Sequence, residues 1–468
     1  PLTYHQLYIQ IHDTVRFLNS IKINRNDPVA IVLPNGPLMA TVFLSVACGA
    51  TSAPLNPAYT ASEYEFFLKD LQAKAVITLM DSNNPIHSVA DDLNIPIIKI
   101  ESKPESSIGK FALRYNGDRI SDPSADFAEK SDIALILHTS GTTSRPKMVP
   151  LTHKNLCRSA ENIQKSLKLS SQDRCLNIMP LFHIHGLMAA LLSSCRAGGS
   201  IVCTPGFYAP KFLYWLAELK PTWYTAVPTM HQSILYRSKN QSEIINNSSL
   251  RFIRSSSSSL APKVMLEMEE VFHVPLIEAY GMTEASHQIA SNPLPPGVRK
   301  PGSVGFPAGP EVAIMDEVYP EILPKNTLGE IVIRGDNVTL GYINNDEANA
   351  KSFTRGWFRT GDQGYIDNEG YLYITGRLKE IINRGGEKIS PREVDEILLK
   401  FPGVRQAVTF AIPDNILGED IAAAIVLEDE TIKEKDLKIY TAKYLAPHKV
   451  PRKFVILDEI PKGPTGKL

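Results

Sequence analysis

His138-Thr139-Ser140-Gly141-Thr142-Thr143-Ser144-Arg145-Pro146-Lys147 follows the apolar run Ile133-Ala134-Leu135-Ile136-Leu137 and precedes a second strand-like segment, Val149 to Leu151. The apolar run reads as a buried strand. Hydroxyls, an unhindered glycine backbone and one lysine between two strands make a cradle for phosphate oxygens. The Walker A spacing, G-x-x-x-x-G-K-[ST] leading into a helix, is absent, so this is a phosphate loop of another kind. Taken alone, such a loop also reads as a solvated Ser/Thr-rich turn, and the rest of the chain has to decide.

The chain has 468 residues. One hydrophobic core serves roughly 250–300 residues, so at least two domains are expected. Hydrophobic content of 43% and charged content of 21% are ordinary for a globular protein. Lys+Arg at 49 against Asp+Glu at 50 leaves a formal charge of −1, which provides no global basic field for nucleic acid. The five cysteines (Cys48, Cys157, Cys175, Cys195 and Cys203) include no C-x-x-C pair, which predicts buried thiols in a reducing compartment. No apolar run approaches the roughly 20 residues that cross a bilayer, so no stable membrane association is expected. A cytoplasmic location is expected; a peroxisomal one stays open, because the chain starts at Pro1 and its ends are open to trimming.

The order of elements predicts an α/β fold. Tyr4, Leu7, Ile11, Val15 and Leu18 recur at helical spacing, giving an amphipathic opening helix within 2–22. A strand at Val29–Leu33, a helix over Met39–Ala47, a helix from Ala61 to Asp70 and a strand at Ala73–Leu79 follow. That rhythm belongs to a parallel sheet covered on both faces. Residues 101–131 read as an irregular excursion. Alternation then resumes over 152–290, with helices near 154–167, 186–197 and 210–219 and strands at Ser200–Cys203 and Trp223–Val227. From 300, short β-like runs at Glu311–Met315, Gly329–Arg334 and Gly370–Thr375 predict a small antiparallel or barrel-like subdomain. After Arg377, strands at Val408–Ile412 and Ile421–Val426 with helices near 391–400 and 434–445 predict a compact terminal α+β domain.

Several segments carry chemistry. Met179-Pro180-Leu181-Phe182-His183-Ile184-His185-Gly186 reads as an aromatic and imidazole wall of a ligand pocket; a metal site lacks a third ligand nearby in sequence. Ile277-Glu278-Ala279-Tyr280-Gly281-Met282-Thr283-Glu284 puts a hydroxyl and a carboxylate at the carboxyl end of a strand, where open α/β sheets bind ligands. Thr283 can donate to a phosphate and Glu284 can hold a hard cation such as Mg2+; an exposed glutamate on a satisfied turn is the alternative. Trp357-Phe358-Arg359-Thr360-Gly361-Asp362 offers an acid after a tight turn, suited to the two hydroxyls of a ribose. Gly376-Arg377-Leu378-Lys379-Glu380 lies where the texture changes. Arg384-Gly385-Gly386-Glu387-Lys388-Ile389-Ser390-Pro391 has paired glycines that let another molecule approach the backbone. The chain ends Pro464-Thr465-Gly466-Lys467-Leu468, with a lysine that alone would read as a solvated tail charge.

Together and in this order, these segments resemble the adenylate-forming superfamily of acyl-CoA synthetases, firefly luciferases and nonribosomal adenylation domains, across nearly the whole chain. The resemblance implies the fold of that superfamily. A large N-terminal domain of parallel α/β sheets with a small β subdomain would span 1–377, a hinge 378–379 and a small mobile C-terminal α+β domain 380–468. Its substrates would be ATP, a small carboxylic acid and coenzyme A, with Mg2+ as cofactor. By resemblance, Thr139, Ser140, Gly141, Thr142, Thr143 and Lys147 would wrap the β- and γ-phosphates. Thr283 would touch the α-phosphate and Glu284 the Mg2+. Adenine would lie against Tyr280 and the backbone of 257–261, with Ala279 and Gly281 also in the ATP site, while Asp362 would bind the ribose with Arg377 beside it. Lys379 would be the hinge, Lys467 would reach the carboxylate and α-phosphate, and Gly385, Gly386 and Lys388 would line the pantetheine channel.

Two departures stand out. The superfamily commonly has glycine after the loop lysine, and Met148 stands there, which predicts altered loop mobility or ATP affinity. The chain also stops just after Lys467, where relatives continue, so a truncated end is expected. Within the superfamily, the phrases Met179–Gly186, Thr222–Thr229, Arg251–Ser255 and Asn383–Pro391 are similar to the oxalyl-CoA synthetases. That similarity implies oxalate held by His183, Ser257 and His287. A core or surface role for His287 is the alternative. Ligases for medium-chain, aryl or other dicarboxylic acids, and a stand-alone adenylation domain loading a carrier protein, are the competing readings.

Overall fold

A computed structural model describes residues 1–80, 82–101, 108–121, 123–139, 146–429, 431–463 and 466. Two seven-stranded sheets organise the larger part of the chain. The first is parallel through Ile97–Glu101, Ala75–Leu79, Pro28–Val32, Thr51–Pro54 and Ile133–Thr139, with antiparallel strands at both edges. The opening helix forms over Tyr4–Ser20, capped by Thr3 and Gln6, and buries Val15 and Leu18. The second sheet is parallel from Ser200–Cys203 through Arg174–Asn177, Trp223–Ala226 and Phe252–Ser255 to Leu276–Met282, then turns antiparallel at His287–Ser291. Apart from the outermost, Ser200–Cys203, these parallel strands are almost wholly buried, as strands covered by helices on both faces must be.

Three expectations need revising. The helix near 186–197 begins as a π-helix over His185–Leu192 and becomes an α-helix only at Ser193–Arg196. The excursion over 101–131 contains the strand Ala112–Arg114, paired with Ile97–Glu101. Asp362 does not end a turn; it lies inside the ten-residue strand Trp357–Ile366, next to Gly361 at φ +73.

That strand is the spine of a five-stranded antiparallel sheet with Glu311–Met315, Gly329–Arg334, Phe353–Thr354 and Leu372–Arg377. The smaller C-terminal domain pairs Val404–Asp414 with Gly418–Leu427 over an eleven-to-ten residue hairpin, flanked by Pro391–Leu398 and Glu434–Tyr444. It docks on the antiparallel sheet through hydrogen bonds. Ser390 Oγ donates to the Thr375 carbonyl, and Arg392 donates to the carbonyls of Ile374 and, at 3.3 Å, Gly302. Four of the cysteines are at least partly buried, but Cys157 is exposed, against expectation. Among the described residues, no helix is long and apolar enough to cross a membrane.

Candidate active site

The second sheet delivers a side chain from the carboxyl end of almost every parallel strand. Arg174–Asn177 leads to His183 and His185, Trp223–Ala226 to Thr229, Phe252–Ser255 to Ser257, and Leu276–Met282 to Thr283 and Glu284. Chain direction alone therefore collects these groups at one rim. The first sheet contributes the hairpin of Ile133–Thr139 and Lys147–Thr152, where Thr139 faces Lys147 in register. Ser140, Gly141, Thr142 and Thr143 lie outside the described residues, as does Lys467.

Glu284 is 6% exposed, which settles against a solvated turn. Burial holds its carboxyl above the usual carboxylate range, opposed by the Tyr342 hydroxyl and the charges of Lys147 and Arg377. The Tyr342 hydroxyl donates to Glu284 Oε1 at 2.9 Å, and Lys147 Nζ lies 4.4 Å from the centre of the same ring. Burial lowers Lys147, which also feels the positive charge of Lys379. The loop lysine, the buried acid and the residue expected at the hinge thus share one electrostatic neighbourhood.

Asp362 is 6% exposed and accepts from two sides. Tyr280 donates its hydroxyl to Oδ2 at 2.5 Å, and Arg377 donates Nε to Oδ1 at 2.8 Å. Asp362 and Arg377 are cross-strand partners, so the pairing follows from register. The Asp362 charge raises Arg377, and burial raises the Tyr280 phenol. A carboxylate has about four acceptor sites, and two remain for a pair of hydroxyls.

The acid-binding candidates also converge. His185 is fully buried; its Nδ1 lies 2.9 Å from Ser257 Oγ and its Nε2 2.6 Å from Thr225 Oγ1. The His185 amide donates to His183 Nδ1 at 3.2 Å, so neutral His183 carries its proton on Nε2. The His287 ring packs against that of His185 with centroids 5.0 Å apart. His287 has φ +89 and Ser286 φ +48, a left-handed pair closing the turn into His287–Ser291. Gly281 makes that turn possible: a Cβ there would lie 1.7 Å from the His287 carbonyl oxygen. Gly281→Ala is expected to lower the melting temperature by roughly 5 °C or more and to displace His287, checked by thermal unfolding and acid KM.

Three further expectations meet a different local explanation. Gly385 and Gly386, at φ +60 and +99, form the two-residue turn between Ile382–Arg384 and Glu387–Ile389. Positive φ at both positions is what such a hairpin demands, so the glycines have a backbone reason of their own. That hairpin bonds within the C-terminal domain, to Leu417 and Glu419, with Lys388 exposed on its second strand. Met148 is not strained: it is 5% exposed in the strand Lys147–Thr152, packed in the core beside Ile136. Gly466 reaches the rim, where Thr229 Oγ1 donates to its carbonyl at 2.5 Å. Sequence reasoning missed Tyr342, Thr225, Thr229 and Arg254, whose partners are remote in the chain, and left His185 in an unspecified pocket wall.

A buried acid after a parallel strand, a lysine from the first sheet's hairpin and a carboxylate–arginine pair in the antiparallel sheet are thus gathered in a two-part α/β fold. The chain belongs to the AMP-binding enzyme family, whose model matches residues 1–343, while the AMP-binding enzyme C-terminal domain matches 393–467. It is 45% identical to the oxalate–CoA ligase of Arabidopsis thaliana, covering 99% of this chain and 92% of that one. To the oxalate–CoA ligase of Saccharomyces cerevisiae it is 43% identical, covering 95% and 86%. The crystal structure of ATP-bound MatB from Rhodopseudomonas palustris matches with a TM-score of 0.89 at 28% identity, covering 99% and 91%.

Proposed function

We propose that this AMP-forming acid–CoA ligase activates oxalate and transfers the oxalyl group to coenzyme A. A carboxylate oxygen attacks the α-phosphorus of ATP, the bond to pyrophosphate breaks, and the acyl-AMP then gives its acyl group to the thiol as AMP leaves and the thiol proton is released. The reading rests on the cluster of His183, His185, Ser257 and His287 at one end of the rim. A small dianion needs donors at both ends, because a buried unpaired charge is costly. A tunnel for a fatty acyl chain would want apolar or small residues there instead. The relatives named for oxalate support the same acid.

Glu284 fits a hard cation. It is a buried carboxylate held above its usual range by burial, and Tyr342 engages only Oε1. Mg2+ is ordinarily held by one or two carboxylates together with substrate phosphates. When bound, it would neutralise phosphate charge and stabilise the departing pyrophosphate. Asp362 would accept the ribose hydroxyls, Thr139 and Lys147 would flank the β- and γ-phosphates, and Thr283 would donate at the α-phosphate. Lys467 would approach from the C-terminal domain, and Gly385, Gly386 and Lys388 would line the thiol's path after the small domain turns about Lys379.

Pyrophosphate release with ATP, Mg2+ and CoA over oxalate, malonate, octanoate and coumarate tests the acid. Oxalate is expected to lead in kcat/KM by on the order of 100-fold. Turnover of octanoate with none of oxalate overturns it. AMP release that depends on CoA would speak against a carrier-protein acceptor.

A further inference from the structure

Arg254 is fully buried on the strand Phe252–Ser255, and among the described residues it makes no ion pair. Its guanidinium gives Nη1 to Thr225 Oγ1 at 3.3 Å and Nη2 to Gln288 Oε1 at 3.4 Å, two neutral acceptors. Burial pushes it down to about 9, so it keeps its charge at neutral pH. A buried cation without a counter-ion is rare unless something else compensates it.

Arg254 and Thr225 are register partners on adjacent parallel strands, and the π-helix His185–Leu192 begins with His185, which meets the same hydroxyl. A guanidinium only donates, so Thr225 Oγ1 accepts from Arg254. Among the described residues that hydroxyl meets only Arg254 and His185, so its own hydrogen goes to His185 Nε2. A second cation beside Arg254 is disfavoured in so dry a place, and neutral His185 then bears its proton on Nδ1. Nδ1–H donates to Ser257 Oγ across 2.9 Å, which satisfies one Ser257 lone pair and leaves the serine hydrogen to point at a ligand.

We propose that Arg254, Thr225 and His185 are positioning residues: a buried chain that orients Ser257 as a donor and makes the pocket select an acid with a second carboxylate. The proposal rests on the reading of the acid given above and deepens it. Each link has one polarity, set at the inner end by a group unable to accept. An acid whose far end is apolar leaves the Ser257 donor unanswered, and sites built to hydrogen-bond a substrate group reject analogues lacking it.

Two measurements test the chain. In histidine-15N-labelled protein, long-range 1H–15N correlation should show His185, assigned by its loss in His185→Gln, protonated on Nδ1; Thr225→Val should abolish that preference. In steady-state kinetics, Thr225→Val should lower kcat/KM for oxalate by about 100-fold, chiefly through KM, with the KM for ATP unchanged. Thr225→Ser, which keeps the hydroxyl, should recover activity to within about threefold of wild type and controls for packing damage. Arg254→Met should match Thr225→Val. An Nε2–H tautomer in wild-type enzyme that uses oxalate overturns the chain alone. Failure of wild type on oxalate overturns the assigned acid, whatever the tautomer. Equal losses on every acid, or none in Thr225→Val, overturn the selectivity.

Discussion

Glu284→Gln is expected to release pyrophosphate at least about 1,000-fold more slowly than wild type while melting at or above the wild-type temperature. The two effects come from one carboxyl group. Burial raises its proton affinity above that of the unfolded chain, in which the group titrates near the ordinary value of 4.5. As pH rises past that value, the unfolded chain loses its proton first, so the unliganded fold loses stability with increasing pH. Glutamine removes that penalty and still accepts from Tyr342, but offers no charge to a divalent cation. The carboxylate is therefore kept at a cost to the apo protein, and under the proposed role its return would lie in holding the cation that offsets the charge of phosphates and pyrophosphate. Thermal unfolding from pH 5 to 8 and a pyrophosphate assay read the two halves separately. Wild-type rates in the variant, or a melting temperature several degrees lower, would sink the assignment.

Lys467→Ala is expected to remove adenylation by roughly 1,000-fold or more while ATP affinity changes by less than about threefold. In the proposed reaction an acid anion must meet a phosphate anion, and the Lys467 ammonium would offset their repulsion without having held either beforehand. Lys467 itself lies outside the described residues. Its neighbour Gly466 is held at the rim by Thr229, at the N-terminus of Pro228–Ser238, the helix that follows the strand carrying Thr225. Isotope exchange between pyrophosphate and ATP gives the first quantity and equilibrium ATP binding the second. Unchanged exchange would refute the role.

Much of the architecture was legible because buried parallel strands are written as unbroken apolar runs. Val29–Leu33 and Ala73–Leu79 fall within a residue or two of Pro28–Val32 and Ala75–Leu79. Strands that carry polar groups into the interior were harder to see. Trp357–Ile366 holds Arg359, Gly361, Asp362 and Gly364, a composition that reads as a turn until the neighbouring strands are known. Arg174–Asn177 is bounded by polar residues and has only Cys175 and Leu176 between them. The site divided in the same way. Thr283 and Glu284 announce themselves by following an apolar strand, whereas Tyr342 owes its place to Glu284, 58 residues away, and Arg254 to Thr225, 29 residues away. No local pattern encodes such meetings; they arise only from the order in which strands join a sheet. The π-helix left no periodic trace either, because the segment His185–Leu192 is apolar on every side apart from its first residue.

Ser390 and Arg392 of the small domain donate to carbonyls of Thr375, Ile374 and Gly302. The proposed turn about Lys379 would pull all of these donors away in one motion. On that proposal the docked orientation would act as a detent rather than a point on a slide, given up only when water takes over three backbone oxygens together.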